Sequence, residues 1–362
     1  GSRQFQVEWG AQFHGDAAYD LTDAEAADPN RRDKNSRNVA GVLALFVAQN
    51  WPAFRTWGVP FTNDWNLHYT VFTARRGASD PQPVVDWDDL QKPGYSADFI
   101  RTRRWDHGYG EEDWTPDAEG QALIRYNRPV LAYIAGTEPR FTSRDHNFQP
   151  GETVDKQLIV INNSRRETLC EYEWSLGLPT PVTVSGACTV QTGEHVRLPI
   201  RVALPAALPA GRYELTLKAA FSGGELQEDA FAIEFLPEPP AVGTALRIAV
   251  LDPNGETREL LSQMDVSFDS VTADADLAAY DLLIVGKHAL TLVNPLPDLS
   301  RVQDGLKVLM FEQSNEVLQN RLGFRTQEYA LRRVFPRMAG HPALEGLRAE
   351  HLRDWRGEGT TV

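Results

Sequence analysis

The sequence predicts a multidomain chain of mixed class, α/β plus all-β. A partial (β/α)8-barrel segment is expected over residues 1–137, an immunoglobulin-like β-sandwich over 138–238 and a flavodoxin-like α/β domain over 244–362. Three observations predict this. Two short apolar strands near the start end in clusters of aromatic, amide and acidic residues, as strands do at the catalytic face of a βα barrel. From residue 130 apolar residues alternate with period two at regular spacing, the pattern of a sandwich. The last third alternates apolar runs of strand length with helical stretches, as in a parallel sheet.

The first strand is Phe5-Gln6-Val7-Glu8-Trp9, followed by Gly10-Ala11-Gln12-Phe13-His14-Gly15-Asp16. Residues 16–34 read as a loop, with Asp28-Pro29-Asn30 as a turn signal. Residues 39–50 are apolar almost all round, which suits a buried helix, and Pro52 marks its expected end. The second strand leads into Trp57-Gly58-Val59-Pro60-Phe61-Thr62-Asn63-Asp64-Trp65-Asn66-Leu67-His68. Residues 73–120 are dense in turn formers and charge and read as an irregular excursion. Strands are then expected at 154–161, 169–176, 181–191, 195–203, 212–221 and 226–235, and Leu236-Pro237-Glu238-Pro239-Pro240 forms a stiff linker. In the last third, strands are expected at 246–251, 282–286 and 306–311, with a helix at 256–264. That domain reads as cut short at Gly359-Thr360-Thr361-Val362.

A formal net charge of -14 argues against nucleic acid or an anionic membrane as partner, since both call for clustered Lys and Arg, and favours neutral or cationic ligands. No apolar run approaches the ~18 residues that span a bilayer. No charged segment precedes an apolar one in the manner of a targeting peptide, so a soluble protein is expected. Cys170 and Cys188 lie in β-prone surroundings, and both a disulfide and two small core residues fit them.

Several of these stretches carry a resemblance. Val7-Glu8-Trp9-Gly10-Ala11, the aromatic strand end at residues 57–65, Asn127-Arg128-Pro129-Val130-Leu131-Ala132-Tyr133-Ile134-Ala135-Gly136, and Phe141-Thr142-Ser143-Arg144-Asp145-His146-Asn147-Phe148 together resemble the C-terminal part of a multidomain glycoside hydrolase related to family 2, of the β-galactosidase type. The resemblance implies a carbohydrate-active hydrolase without a cofactor, with Glu8 as inherited nucleophile. Trp9, Trp57, Asn63 and Trp65 would then bind the sugar. It also implies that earlier barrel strands and their acid/base carboxylate are missing, and retaining chemistry needs two carboxylates about 5 Å apart. Asp64 is the second candidate catalytic carboxylate. The last third resembles a class I glutamine-amidotransferase-like domain. Phe311-Glu312-Gln313-Ser314-Asn315 stands where a cysteine elbow belongs, so this domain is expected to be non-catalytic, with His341-Pro342 as a structural motif.

Two rival readings stand beside it. His14, Asp16 and His68, with Asp64, would suit Zn²⁺ or Mn²⁺ if the two strands are neighbours, giving a metal-dependent ester or phosphoester hydrolase, with the cluster possibly at a dimer interface. The other is a non-catalytic binding or assembly fragment. On any of them a wedge of barrel leaves bare edges and apolar surface, so a dimer through residues 1–72 is expected.

Overall fold

The computed structural model describes residues 37–59, 72–74, 114–116, 118–138, 140–237, 246–326, 333–336, 338 and 340–355. The chain divides into two compact units, residues 1–237 with 331–357 and residues 238–330 with 358–362.

In the first unit, helix α1 spans Arg37–Thr56 and runs through Pro52 instead of ending there. Proline lacks one helical N–H, and Thr56 Oγ1 donates to the Pro52 carbonyl at 2.8 Å in the turn that follows. β1 (Phe72–Ala74) pairs antiparallel with β2 (Trp114–Pro116). α2 (Ala118–Tyr126) sets Leu123 against Val47 of α1.

The sandwich follows as β3 (Val130–Ala135), β4 (Asn147–Phe148), β5 (Thr153–Asn162), β6 (Thr168–Leu176), β7 (Val182–Val190), β8 (His195–Ala203), β9 (Gly211–Phe221) and β10 (Leu226–Phe235). One sheet has the order β3-β5-β8 and the other β4-β10-β9-β6-β7. Neighbours are antiparallel except β4 and β10, which run parallel.

Alternation explains which side chains meet. Val130, Ala132 and Ile134 of β3 and Val154, Leu158 and Val160 of β5 face Trp174, Leu176, Leu217, Phe231 and Ile233 between the sheets. The residues between them, Leu131, Tyr133, Ala135, Ile159 and Ile161, are also apolar. They carry a second core that Ala53 of α1 and Phe141 close from outside. β3 is buried along its whole length, which is why it reads as an unbroken apolar run.

The sandwich draws on residues beyond 138–238, β3 before them and a C-terminal segment after. Arg348 pairs with the buried carboxylate of Glu234 on β10, and His146 meets the Glu350 carbonyl through Nε2 at 2.8 Å.

In the second unit come β11 (Ile248–Leu251), α3 (Glu256–Gln263), β12 (Asp269–Ser270), β13 (Leu282–Val285), β14 (Lys307–Met310) and α4 (Asn315–Leu322). The four strands are parallel in the order β12-β11-β13-β14. Ser314 caps α4, its hydroxyl accepting the Val317 N–H at 3.3 Å.

These elements correct the expected fold class. The described residues are mostly β-sheet with few helices, so neither a partial (β/α)8 barrel nor a flavodoxin-like α/β domain describes the chain. Barrel strands are parallel, whereas β1 pairs antiparallel and α1 packs on an antiparallel sheet. In the second unit the strands hold only 2 to 4 residues. The crossovers from β12 to β13 and from β13 to β14 pass through the 3-10 turns Leu277–Ala279 and Leu299–Asp304 in place of α-helices. Among the described residues no helix is long and apolar enough to cross a membrane.

Cys170 and Cys188 stand directly opposite on β6 and β7, and both thiols are free. The hydrogen bond between them, together with burial, pushes the Cys170 thiol far up, and the same bond lowers that of Cys188. Alkylation without reductant is expected to label the partly buried Cys188 in the native chain and the fully buried Cys170 only on unfolding. A mass two protons short with neither cysteine labelled would contradict this.

Candidate functional site

β3 lies at the edge of its sheet, and an edge leaves backbone groups in need of partners. Side chains of β10 supply them. Gln227 Oε1 accepts the Ala132 N–H at 2.8 Å, and Gln227 Nε2 donates to the Val130 carbonyl at 2.8 Å. Asp229 Oδ2 accepts the Ile134 N–H at 2.8 Å, while Oδ1 accepts from Arg125 of α2 at 2.9 Å. Period two puts Gln227 and Asp229 on the same face of β10 as Phe231 and Ile233, so two polar side chains interrupt an otherwise apolar face. Burial pushes the Asp229 carboxyl above the usual carboxylate range, against the Ile134 hydrogen bond and the Arg125 charge, which pull it down.

Beyond β3 the chain doubles back at Gly136, whose N–H donates to the Phe141 carbonyl at 2.7 Å. A Cβ here would lie 2.5 Å from the carbonyl oxygens of both Arg140 and Ser143, so the close approach requires glycine.

Between this loop, β10 and the last turns of α1 lies a cavity of about 340 Å³, within the range of roughly 300–1,000 Å³ usual for small-molecule sites. Asn50 and Ala53 line it from α1, Trp57 from the turn just after it, Tyr126 from α2, Tyr133 and Ile134 from β3, Phe141 to Arg144 from the loop, and Asp229 and Phe231 from β10. Trp57 is 60% exposed and meets Phe141 edge-on, with ring centres 5.3 Å apart. The Tyr133 and Thr56 hydroxyls are hydrogen-bonded at 2.7 Å. Burial pushes the Tyr133 phenol up to about 12, so it stays neutral.

Cations gather at the aromatic walls. The Arg144 guanidinium lies 5.6 Å from the centre of the Phe231 ring and the Lys156 ammonium 4.6 Å from it. Arg197 lies 4.9 Å from the Phe141 ring centre, in cation–π geometry. Lys156 is buried and donates to Asp145 Oδ1 at 2.8 Å. Arg55, behind Tyr133, sends its donors to the Asn163 side chain and the Tyr126 and Pro129 carbonyls. Burial lowers its pKa to about 10, which leaves it charged at neutral pH.

Of the site residues expected from sequence, Trp57 lines this cavity. Glu8, Trp9, His14, Asp16, Asn63, Asp64, Trp65 and His68 lie outside the described residues. So does most of the expected dimer surface, residues 1–72. Among the described residues no group of three or more His, Cys, Asp or Glu side chains is placed to hold a metal ion. Asp229 and Arg144 were not anticipated. For Asp229 a signal existed, an acid in register with Phe231 and Ile233; for Arg144 the loop sequence carried none.

No family model and no curated protein matches the chain. Among solved structures it is similar to the sporulation control protein Spo0M of Bacillus subtilis, 16% identical over 31% of this chain and 51% of that one, with a TM-score of 0.22. A family 123 glycoside hydrolase from Clostridium perfringens is 11% identical over 34% of this chain and 30% of its own, with a TM-score of 0.21. The alkylpurine DNA glycosylase AlkC of Pseudomonas fluorescens is 10% identical over 59% of this chain and 55% of that one, with a TM-score of 0.22. The chain thus spans about half the length of the first and under a third of the second. Likenesses of this size establish neither a fold nor an activity.

Gln227→Leu and Asp229→Leu each leave a buried β3 N–H without its acceptor, at a cost of about 1–3 kcal/mol per group. Urea unfolding is expected to show both losses; an unchanged midpoint would mean that water takes over the bond. The pH dependence has a definite sign. The folded Asp229 carboxyl titrates above its unfolded counterpart, so its contribution is full below the ordinary aspartate value of about 4 and falls as pH rises through the raised one. Asp229→Asn, uncharged throughout, is expected to flatten that fall when unfolding midpoints are compared from about pH 4 to 7.

Proposed function

We propose that this chain is a carbohydrate-active hydrolase that holds a saccharide in the cavity at Trp57. The observation that carries the reading is the composition of the cavity wall. The aromatic residues Trp57, Tyr126, Phe141 and Phe231 stand around a space that Asn50, Tyr133, Thr142, Ser143 and Arg144 also line. A sugar ring offers apolar C–H faces that pack on aromatic surface and a rim of hydroxyls that need donors and acceptors. A wall that is both aromatic and hydrogen-bonding meets those two demands together.

The resemblance of the Val7-Glu8-Trp9-Gly10-Ala11 stretch to a family 2 type glycoside hydrolase supplies the chemistry of this reading. On this reading Glu8 acts as nucleophile and Asp64 as the second carboxylate, and Trp9, Asn63 and Trp65 bind sugar as the resemblance implies. Cleavage on this scheme needs no cofactor, but it requires Asp64 to stand in for the acid/base carboxylate that the resemblance leaves missing.

The test combines binding with turnover. The chain has 9 tryptophans, so a fluorescence change on titrating monosaccharides is assigned through Trp57→Phe, which is expected to remove most of it. Trp57→Ala is expected to raise KM for aryl glycosides about tenfold or more, with a smaller effect on kcat, as for lost ground-state contact. Glu8→Gln is expected to lower kcat by about a thousandfold. Turnover insensitive to Glu8→Gln would remove the nucleophile assignment, and sugar binding indifferent to Trp57 would remove the cavity.

A further inference from the structure

We infer that the saccharide taken by this cavity is an acidic one, a sugar bearing a carboxylate such as a uronic acid, and that Arg144 is the residue that selects it. The inference rests on the saccharide reading above and deepens it. Its basis is how the charges around the cavity are paired, in a chain whose net charge is -14.

Two carboxylates next to the cavity are already matched. Asp229 is bonded to Arg125 at 2.9 Å, and Asp145 to the buried Lys156 at 2.8 Å. Arg144 is different. Its guanidinium lines the cavity and lies over the Phe231 ring, and among the described residues no side-chain hydrogen bond or ion pair engages it. Two further guanidiniums, Arg55 behind Tyr133 and Arg197 over the Phe141 ring, hydrogen-bond to no carboxylate among the described residues. Arg55 donates only to the Asn163 amide oxygen and backbone carbonyls, and Arg197 donates to His195 Nε2 at 3.2 Å. Arg125 and Lys156 offset those two carboxylates, and Arg144, whose charge also acts on Asp229, lines the cavity with its side-chain donors uncommitted among the described residues.

A guanidinium presents five N–H donors in a planar fork that fits a carboxylate with two parallel bonds. The Arg144 guanidinium carbon lies 5.6 Å from the Phe231 ring centre, so the cation already stands beside an aromatic wall of the cavity. The other lining residues include aromatic rings, the Gln49 and Asn50 amides, Thr142 and Ser143, with Asp229 held by Arg125, which suits a ring with hydroxyls for the rest of the ligand. One guanidinium matches one carboxylate; a doubly charged inorganic anion would call for further donors at the same point.

The test is titration calorimetry on the full chain with matched probes: D-glucuronate against D-glucose, D-galacturonate against D-galactose, and inorganic phosphate alone. At least one uronate is expected to bind roughly ten- to a hundredfold tighter than its neutral counterpart, the range of a charge-assisted hydrogen-bonded pair. Its affinity is expected to fall with added salt. Arg144→Ala is expected to bring the two sugars within about threefold of each other, and Arg144→Lys to restore part of the preference, because the charge returns without the fork. The neutral sugar measured on the same variants reports whether the cavity itself survives.

If uronate and neutral sugar bind wild type equally, the acidic assignment is overturned while the saccharide reading stands. Phosphate binding that competes with the uronates and exceeds them in affinity overturns it as well, in favour of a simple anion site. If neither sugar of any pair binds, the saccharide reading fails and this inference fails with it.

Discussion

The structure depends on a join between two sheets made by side chains rather than by a strand. An edge strand exposes a row of N–H and C=O groups, and β3 has such an edge inside the protein, where water is scarce. Gln227 and Asp229 close it from β10 with three hydrogen bonds of 2.8 Å. The closure fixes the distance between the sheets at one end and brings a carboxylate under cover. It also sets Phe231, two residues further on the same face, against the loop that follows β3. Arg125 then ties α2 to the buried carboxylate, so the helices are fastened to the sandwich by charge as well as by apolar contact.

The cavity follows from that join. β3 and β5 are apolar on both faces because one face meets the opposite sheet and the other meets α1. A helix is a convex cylinder, and laid across a twisted sheet it cannot fill the corner where β3 ends. The chain turns at Gly136 in that corner, and the return loop contributes Phe141 and Arg144 to the wall. The charge of the whole chain says nothing about this corner. Net charge governs solubility and long-range steering, whereas a ligand within a few ångströms responds to the groups beside it, among them Arg144 over the Phe231 ring.

Much of the sheet structure is legible in the sequence because strands with one buried face must alternate. The residues from 154 to 161 lie within β5, and 195–203 coincides with β8. The architecture of the first segment is not legible in the same way. An apolar helix ahead of residue 56 reads alike whether it covers a parallel barrel or the outer face of an antiparallel sheet, since its side chains need only an apolar partner. The expectation of a stop at Pro52 erred for a related reason: a missing N–H weakens a helix, but packing of Ala53 against Tyr133 and Ile159 holds the next turn. In the last third, short apolar runs mark parallel strands, but nothing in them specifies whether a crossover is an α-helix or a 3-10 turn. Of the cavity, Trp57 was visible as an aromatic at the end of an element. Asp229 was visible only as a break in alternation, and Arg144 gains its meaning from a ring 87 positions later in the chain, Phe231.

β10 is therefore the strand on which both ends of the first unit turn. Near its start, Gln227 and Asp229 serve the edge of β3; near its finish, Glu234 lies opposite Asn147 of β4 and its buried carboxylate holds Arg348 of the C-terminal segment. The Glu234 N–H also donates to the His146 carbonyl at 2.7 Å, and the His146 ring reaches the Glu350 carbonyl. Burial lowers the pKa of that imidazole, so it remains neutral and can donate from one nitrogen only. A shift of β10 by one residue against β9 would turn Gln227, Asp229 and Phe231 away from the β3 edge and take Glu234 to the opposite face, away from Arg348. The β3 edge, the cavity wall and the seat of the C-terminal segment would be lost together. The three are coupled through one register, which the ten-residue pairing of β10 with β9 holds in place.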